Sequence, residues 1–254
     1  MRVLLAVPCY NCEPQIRRVL AELDDVLSAA ALIAEVAVID NRSTDGVVDA
    51  AIEMISKLKN KGRIHLYRNI DNVGLGGTHK VAFELARESG ATHFAILHGD
   101  NQATTADLLI LIKHLVEFGG ETVLGSRFSD LSLLSGYSYV RIFGNLALNL
   151  LYSVVTGRRV KDLGSGLNIF RINDFEPHDL HRFDNGFTFN MDLLLYLISK
   201  KRKFHYVPIH WSTVDQVSNA RALSVGWKTL KKLWFWAIDR RESSAGNFKT
   251  EKVI

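Results

Sequence analysis

Three short segments combine carboxylate, amide and glycine residues in a way that suits a phosphorylated ligand held by a metal ion. They are residues 40–46 (DNRSTDG), 72–77 (NVGLGG) and 98–102 (HGDNQ). Each follows an apolar stretch that predicts a β-strand, and open α/β sheets bind ligands beyond the carboxyl ends of their strands. Because carboxylates and backbone amides at such an edge suit a diphosphate and a divalent cation, the segments together predict a nucleotide-diphosphate site.

Asp100 is the residue most suited to metal chemistry. It lies just past the predicted strand 93–97, where a hard cation would take oxygen ligands from Asp100, from Gln102 and from the phosphates of a substrate. Mg²⁺ or Mn²⁺ bound in this way would neutralise a diphosphate leaving group. His98 is a candidate third ligand, and a buried or hydrogen-bonded structural histidine is the alternative.

Three further positions suit nucleotide or phosphate binding. Asp40 ends a β-branched stretch, where its carboxylate can accept hydrogen bonds from a nucleobase or a ribose. The glycines of residues 72–77 let the backbone approach a ligand closely, although this segment matches neither a G-x-G-x-x-G fingerprint nor a P-loop. Arg127 follows the predicted strand 122–124 and offers a fixed fork for phosphate oxygens, an ordinary surface arginine being the alternative.

Apolar strands and amphipathic helices alternate through the first half of the chain, which predicts an α/β fold with a mostly parallel sheet covered by helices on both faces. The predicted strands are residues 3–7, 36–39, 64–67, 93–97 and 122–124. The predicted helices are residues 15–28, a helix that Ser43 or Thr44 opens as N-cap, and residues 78–88 and 108–118. The second half predicts a polar loop at 129–138, helices at 142–156, 191–200 and 222–238, and strands within 163–170 and at 205–209.

Composition limits the choice of protein class. The chain has 254 residues, 47% of them hydrophobic, and a net charge of +4, which fits a globular protein with a mild preference for anions. No run of about 18 apolar residues predicts a membrane span. Cys9 and Cys12 form a lone C-x-x-C, too few ligands for structural zinc, so we expect two reduced thiols. These features predict a main domain at 1–221, a basic amphipathic helix at 222–241 and a loose polar tail at 242–254.

The first half of the chain resembles the family-2 glycosyltransferases of GT-A fold, a Rossmann-like fold for nucleotide-diphospho-sugars. Residues 8–13 (PCYNCE) resemble the family's P-x-Y-N-E loop, and 40–46 resemble its D-D-x-S-x-D-G turn with Asn41 in place of the second Asp. Residues 98–102 resemble the D-x-D-x-Q metal motif with His98 in the first Asp position. The resemblance implies metal contacts from Asp100, Gln102 and His98. It implies nucleotide-sugar contacts from Pro8, Tyr10, Glu13, Asp40, Asn72, Gly74, Gly99 and Asp100.

The second half is similar to the polyprenyl-phosphate branch of that family. The matching positions are Arg127, Arg141, Asp162, Ser165 and Asp192, in that order. The resemblance implies that Arg127 acts in catalysis and, with Arg141, Ser165 and Arg221, contacts the donor and acceptor phosphates. The family's basic R-x-x-G-x-S-K loop is reduced in residues 214–221 to Ser218 and Arg221, which leaves the acceptor open.

The sequence therefore predicts a metal-dependent, inverting transfer of a sugar from a nucleotide-diphosphate donor to an acceptor, with polyprenyl phosphate favoured. A sugar hydroxyl in polysaccharide or glycan synthesis is the first alternative, and it would require a general base, either Asp162 or Asp192. A nucleotide-sugar binding protein without catalysis is the second alternative, because His98 replaces a metal-motif Asp. A nucleotidyltransferase is disfavoured because its glycine-rich loop with a basic signature is missing after the first strand.

The helix predicted at 222–238 suits a membrane surface. Trp227 and Trp234 lie on its apolar face, and Lys228, Lys231 and Lys232 flank that face. Packing onto the domain or onto a dimer partner is the alternative. No nucleic-acid recognition motif accompanies the basic residues, so nucleic acid is not an expected partner. We expect a cytoplasmic protein, in the peripheral case bound to the cytoplasmic face of a membrane.

Overall fold

The computed structural model describes residues 1–213, 222–238 and 250–252. The strands are β1 Val3–Cys9, β2 Ile33–Asp40, β3 Ile64–Asn69, β4 His93–Leu97, β5 Thr122–Ser126, β6 Leu133–Ser135, β7 Leu167–Arg171, β8 Phe204–Pro208, β9 His210–Ser212 and β10 Thr250–Lys252. The α-helices are α1 Glu13–Ala29, α2 Val47–Lys57, α3 Gly74–Glu88, α4 Thr105–Glu117, α5 Tyr139–Thr156, α6 Pro177–Leu180, α7 Phe189–Ser199 and α8 Ala222–Ala237.

An eight-stranded sheet in the order β10-β3-β2-β1-β4-β7-β5-β8 forms the centre of the fold. β1, β2 and β4 are almost wholly buried, as expected for parallel strands that are covered on both faces. Leu5 and Val7 point into a core shared with α1, α2 and α4, whereas Leu4 and Ala6 point into a core shared with α3 and α7. The predicted α/β class, with helices on both faces of a mostly parallel sheet, is confirmed.

Two strands run against the parallel direction. β7 lies between β4 and β5 and pairs with both of them in antiparallel register. β10 pairs antiparallel with β3 at the edge of the sheet. The prediction of a loose tail from residue 242 is therefore wrong for Thr250–Lys252, whose backbone completes an edge strand; the other tail residues lie outside the described part of the chain.

A small second sheet was not predicted. It consists of β6 and β9 in parallel register, and it places Trp211 opposite Ala103. The buried Asp107 carboxylate of α4 accepts hydrogen bonds from the His210 backbone amide at 3.0 Å and lies 2.8 Å from its Nδ1. This contact fixes β9 beside the segment that follows β4.

The parallel strands bring the predicted site segments to one edge. In the register of β1 with β2, Cys9 pairs with Asp40, and in that of β1 with β4, Ala6 pairs with Ile96. The residues that follow β1, β2 and β4 therefore emerge side by side at the carboxyl edge of the sheet. Among the described helices, none is both long and apolar enough to cross a bilayer.

Candidate active site

The loops after β1 and β2 are joined by hydrogen bonds. Asn11, in the left-handed region with φ 49°, donates its backbone amide to Ser43 Oγ at 3.0 Å and accepts from the Thr44 amide at 2.8 Å. The predicted N-cap role of Ser43 or Thr44 is therefore wrong: α2 begins after Gly46 without a side-chain cap, because both hydroxyl residues bind Asn11 instead. The joined loops leave Tyr10 exposed at the edge of the sheet, as a stacking contact would require.

Asp40 lies buried at the end of β2. Its Oδ1 accepts a hydrogen bond from the Ser43 amide at 2.9 Å, and its Oδ2 lies 3.0 Å from Arg68 Nε, although these two atoms are not aligned for a hydrogen bond. Burial of a carboxylate requires a charge partner of this kind. The role of Asp40 in binding a nucleobase or ribose stays a prediction, with Arg68 as the residue that fixes its position.

The hydrogen bonds of Asn41 account for the asparagine that replaces the second Asp of the family motif. Its Nδ2 donates to Asn72 Oδ1 at 3.0 Å, and its Oδ1 accepts from Asn69 Nδ2 at 2.9 Å and from the Val73 amide at 3.0 Å. An aspartate could accept these bonds but could not donate to Asn72. The side chains of Asn41 and Asn72 thus hold the loop before α3, a positioning role that the clustered asparagines of the sequence could have indicated.

The glycines at the start of α3 serve close packing of backbone on backbone. A Cβ added at Gly74, where φ is +77°, would overlap the Asn185 carbonyl oxygen, and one at Gly76 would overlap the Asp184 carbonyl oxygen. Gly77 also donates its amide to the Asn185 oxygen at 3.2 Å. The 184–185 backbone occupies the space beside Gly74 and Gly76, so the close approach observed at these two glycines is that of another chain segment. Nucleotide contact by the loop residues Asn72 and Gly74 stays a prediction.

Lys80 is a buried cation that the sequence did not single out. Its Nζ donates to Phe183 O and Asn185 Oδ1, each at 2.6 Å, and to His181 O at 3.2 Å. Burial lowers the pKa of Lys80 to about 8. The side chain therefore ties α3 to the segment that leads into α7 and Asp192.

The predicted metal motif forms a tight turn after β4. Asp100 is half-buried, its Oδ1 accepts a hydrogen bond from the Gln102 amide at 3.1 Å, and Asn101 adopts a φ of 57°. Gly99 donates its amide to Pro8 O at 2.9 Å, and a Cβ there would meet Cys9 Sγ at 2.5 Å. Gly99 is thus required for packing against β1, and any contact of Pro8, Gly99 or Asp100 with a nucleotide-sugar stays a prediction.

His98 forms a pair with His79 of α3. Their Nε2 atoms lie 3.1 Å apart, so one ring donates and the other accepts. Burial lowers the pKa of both imidazoles, which keeps both rings neutral at pH 7. The other nitrogen of His98 faces Gly166. The Nε2 of His98 is therefore committed to His79, and metal ligation by His98 is a prediction that this pairing disfavours.

The residues present fit a cation that the substrate helps to bind. In the described part of the chain, no three His, Cys, Asp or Glu side chains cluster as a metal site. The Asp100 carboxylate and the Gln102 amide oxygen are hard oxygen donors. Mg²⁺ is commonly held by one or two protein carboxylates together with substrate phosphates. This limited donor set therefore suits Mg²⁺ or Mn²⁺ that arrives with a diphosphate.

Arg127 is buried in an ion pair with Asp162. Its Nε and one terminal nitrogen donate to the two Asp162 oxygens at 2.8 and 2.7 Å, and its backbone amide donates to Oδ2 at 2.9 Å. The guanidinium also lies 5.2 Å from the Trp211 ring. Because this fork is already filled, a direct catalytic or phosphate contact by Arg127 stays a prediction, and its observed role is to position residues 162–164. Asp162 is likewise saturated by donors, which makes it a poor candidate base.

Of the predicted phosphate contacts Ser165 and Arg221, the structure describes only Ser165. Ser165 is buried, and its hydroxyl donates toward Gly125 O at 2.9 Å and Leu167 O at 3.0 Å. These carbonyl acceptors leave the hydroxyl turned into the domain, so the predicted phosphate contact is disfavoured. Arg221 and the reduced loop 214–221 lie outside the described residues.

Asp192, at the start of α7, is bound by α8. Both of its carboxylate oxygens lie 2.7 Å from Lys232 Nζ, and Oδ2 accepts the Asp184 amide at 2.7 Å. Burial raises the pKa of the Asp192 carboxyl, and Lys232 acts in the opposite direction. A carboxylate with a raised pKa can accept a proton, so Asp192 is the better of the two predicted general bases.

Arg141 differs from Arg127 in having no partner for its guanidinium among the described residues. It lies in the first turn of α5, where Ser138 caps the helix, and among the residues that the structure describes its side chain has no hydrogen-bond or ion-pair partner. Its neighbours Tyr139, Val140 and Phe143 are strongly exposed. Arg141 is therefore a half-buried cation beside an apolar surface.

The sheet and the loops at its carboxyl edge have the mixed α/β arrangement of the GT-A fold. The chain matches the family model for glycosyl transferase family 2 over residues 5–179. The protein therefore belongs to glycosyl transferase family 2, as its sequence motifs predicted.

Two curated relatives match part of the chain. The UDP-N-acetylglucosamine–dolichyl-phosphate N-acetylglucosaminyltransferase of Methanococcus voltae is 24% identical over 181 residues, which are 66% of this chain and 68% of that protein. An uncharacterized protein of Methanocaldococcus jannaschii is 27% identical over 124 residues, 49% of this chain and 51% of the relative. The chain thus matches about half the length of the second relative.

Solved glycosyltransferases share the fold. Mannosyl-3-phosphoglycerate synthase from Rubrobacter xylanophilus is similar with a TM-score of 0.66 and 16% identity, over 92% of this chain and 72% of that one. A mannosyltransferase from Pyrobaculum calidifontis, in complex with GDP-Man and Mn²⁺, has a TM-score of 0.60 and 18% identity, over 96% of this chain and 66% of that one. These likenesses establish the fold.

Proposed function

We propose that the protein transfers a sugar from a nucleotide-diphosphate sugar to a polyprenyl phosphate, with a divalent cation and with inversion at the anomeric carbon. On the donor side, Tyr10 and Asp40 would contact the nucleoside, and Asp100 with Gln102 would hold Mg²⁺ or Mn²⁺. When bound, the cation would offset the charge of the departing diphosphate. Solved relatives with GDP-Man and Mn²⁺ or with UDP-GlcNAc support this choice of donor and metal.

Arg141, whose guanidinium has no partner in the described part of the chain, carries the choice of acceptor. A phosphate oxygen would attack the anomeric carbon from the face opposite the diphosphate, so that the new carbon–oxygen bond forms while the bond to the leaving group breaks. Because a phosphate is already ionised, this step needs no general base. Arg141 could bind the acceptor phosphate, and the exposed apolar residues beside it suit the prenyl chain. The dolichyl-phosphate acceptor in the name of the Methanococcus voltae relative supports the same class.

A sugar-hydroxyl acceptor is the second candidate, and Asp192 favours it. Its carboxyl is buried and its pKa is raised, so it could take the proton that a hydroxyl loses on attack. The Lys232 ion pair opposes this role, because it stabilises the charged carboxylate and makes proton uptake harder. We therefore rank the phosphate acceptor first.

A donor screen tests the proposal. Nucleoside-diphosphate release would be measured for a panel of UDP- and GDP-sugars in Mg²⁺ or Mn²⁺, with polyprenyl phosphate, with free sugars or with no acceptor. We expect release and a glycosylated lipid phosphate only when the lipid phosphate is present. Transfer to sugars alone would favour the second candidate. Donor binding without release under every condition would favour a binding protein and contradict both enzymatic proposals.

A further inference from the structure

α5 and α8 carry two exposed apolar stripes on helices that pack against each other. Tyr152 of α5 is buried and donates its hydroxyl hydrogen to Thr229 O of α8 at 2.8 Å. The inner side of α5 thus packs against α8, and its outer side is solvent-exposed. The α5/α8 surface consists of Tyr139, Val140, Phe143, Leu146, Leu150, Leu151, Val154, Val155, Trp227, Leu230, Trp234 and Ile238, each between 38% and 82% exposed.

The exposed apolar residues recur at helical intervals, so they form a continuous stripe along the helix. On α5, the stripe runs through Phe143, Leu150 and Val154 at helical intervals, opposite the buried Tyr152. A run of exposed apolar side chains on neighbouring helices is typical of a surface that binds a partner or a membrane. α5 contributes the greater part of the surface, so the basic helix α8 alone does not account for it.

The charged residues of α5 and α8 are all basic. Neither α5 nor α8 contains an acidic residue, whereas Arg141 lies at one end of α5 and Lys228 and Lys231 are exposed on α8. A second copy bound face to face would bring these cations together, at a cost in free energy. An anionic bilayer complements them, and exposed tryptophans flanked by lysines are typical of helices that lie in a headgroup region.

We infer that the α5/α8 surface binds an anionic lipid bilayer, with α5 as the principal contact helix. This inference deepens the proposed function and rests on it in one respect, since the same bilayer would present a polyprenyl phosphate near Arg141. The exposure, spacing and charge of the two helices favour bilayer binding whatever the acceptor of the reaction.

Vesicle flotation without donor or acceptor tests the inference. The full chain would be mixed with vesicles of phosphatidylcholine alone or with added phosphatidylglycerol, and the bound fraction measured. We expect binding that increases with phosphatidylglycerol content and weakens with salt. The double variant Phe143→Ser/Leu150→Ser should lose roughly tenfold or more in partitioning, because it removes apolar area that enters the bilayer.

A matched variant on α4 controls for lost surface hydrophobicity. Ile110→Ser/Val116→Ser also replaces two exposed apolar residues, but away from α5 and α8, and should bind vesicles like the wild type. Equal binding by the α5 variant and the wild type would overturn the inference. The inference would also be overturned if the wild type does not bind vesicles but forms a dimer that the α5 variant cannot form. Because no nucleotide is involved, failure here is distinct from failure of the proposed transfer reaction.

Discussion

Lys232 and Asp192 form an ion pair in which both carboxylate oxygens lie 2.7 Å from the ammonium nitrogen. The side chains are only 12% and 16% exposed. The pair joins α8, the smaller contributor to the proposed bilayer surface, to the best candidate base of the site. The charge and the position of Asp192 therefore depend on how α8 is packed.

Replacing Lys232 with Met should lower the free energy of unfolding by about 3 kcal/mol at pH 7, because it leaves a buried carboxylate without its cation. Burial already raises the pKa of Asp192, and loss of Lys232 would raise it further. A raised native pKa means that the folded variant gains a proton before the unfolded chain does. Its deficit relative to the wild type should thus shrink as the pH falls from 7 toward 5.

Urea unfolding at both pH values measures this effect. The double variant Lys232→Met/Asp192→Asn serves as the control, since it removes both charges and should be more stable than Lys232→Met alone. A Lys232→Met protein as stable as the wild type at pH 7 would show that the pair does not hold Asp192.

Gly74→Ala should destabilise the protein far more than Gly90→Ala. Both glycines have positive φ, +77° and +69°, so both substitutions carry a backbone cost of roughly 1 kcal/mol. Only at Gly74 does the added Cβ overlap another chain segment, the Asn185 carbonyl, whereas nothing lies within 4 Å at Gly90. Thermal unfolding of the two variants tests this prediction. An equal decrease in melting temperature in both variants would refute the packing role of Gly74.

The sequence predicted the N-terminal half of the fold, in which apolar strands alternate with helices. β1, β2 and β4 are continuous apolar runs followed by helices, so their parallel pairing and the common edge for Asp40 and Asp100 could be anticipated. The direction of β7 could not, because a short apolar strand has the same composition in either orientation. Its antiparallel pairing depends on the path of the chain through α5.

The site was predictable in its positions but not in its partners. Arg127 and Asp162 were both recognised, yet nothing in a local pattern indicates that the two residues neutralise each other across 35 positions. Lys80 was missed because its acceptors are carbonyl groups about a hundred residues away. Glycines in a first helical turn indicate close approach, and only the fold shows whether a ligand or another backbone approaches.

His79→Gln should make stability less sensitive to acid. Burial lowers the pKa of His79 and His98 in the native state, so the unfolded chain binds more protons below about pH 6.5. The free energy of unfolding should therefore fall as the pH drops from 7 to 5. Glutamine can keep the hydrogen bond to His98 but cannot titrate, which should reduce this slope by up to about 1.4 kcal/mol per pH unit.

Denaturation series at several pH values would measure the slope, with the exposed His178→Gln as a matched control. A slope in His79→Gln as steep as that of the wild type would mean that His79 is not held neutral by burial.

The two arginines should respond differently to alanine. Arg141→Ala should leave stability unchanged and raise the KM for polyprenyl phosphate about tenfold or more, because one charged hydrogen-bond donor to the phosphate is lost. Arg127→Ala should instead unfold more easily, by about 3 kcal/mol, because Asp162 is left buried and unpaired.

Steady-state kinetics in detergent and thermal unfolding separate these effects, with the exposed Lys113→Ala as the neutral control. An Arg141→Ala enzyme with an unchanged KM for the lipid phosphate would remove Arg141 from the acceptor site.

Calorimetric titration of nucleoside diphosphates into the wild type and into Asp100→Ala, each with and without Mn²⁺, tests the donor site most directly. Because Asp100 supplies the one carboxylate that we assign to the cation, Mn²⁺ should tighten diphosphate binding by roughly tenfold or more in the wild type. In a folded Asp100→Ala variant the gain should vanish. The same metal-dependent gain in both proteins would contradict a diphosphate and cation bound at the end of β4.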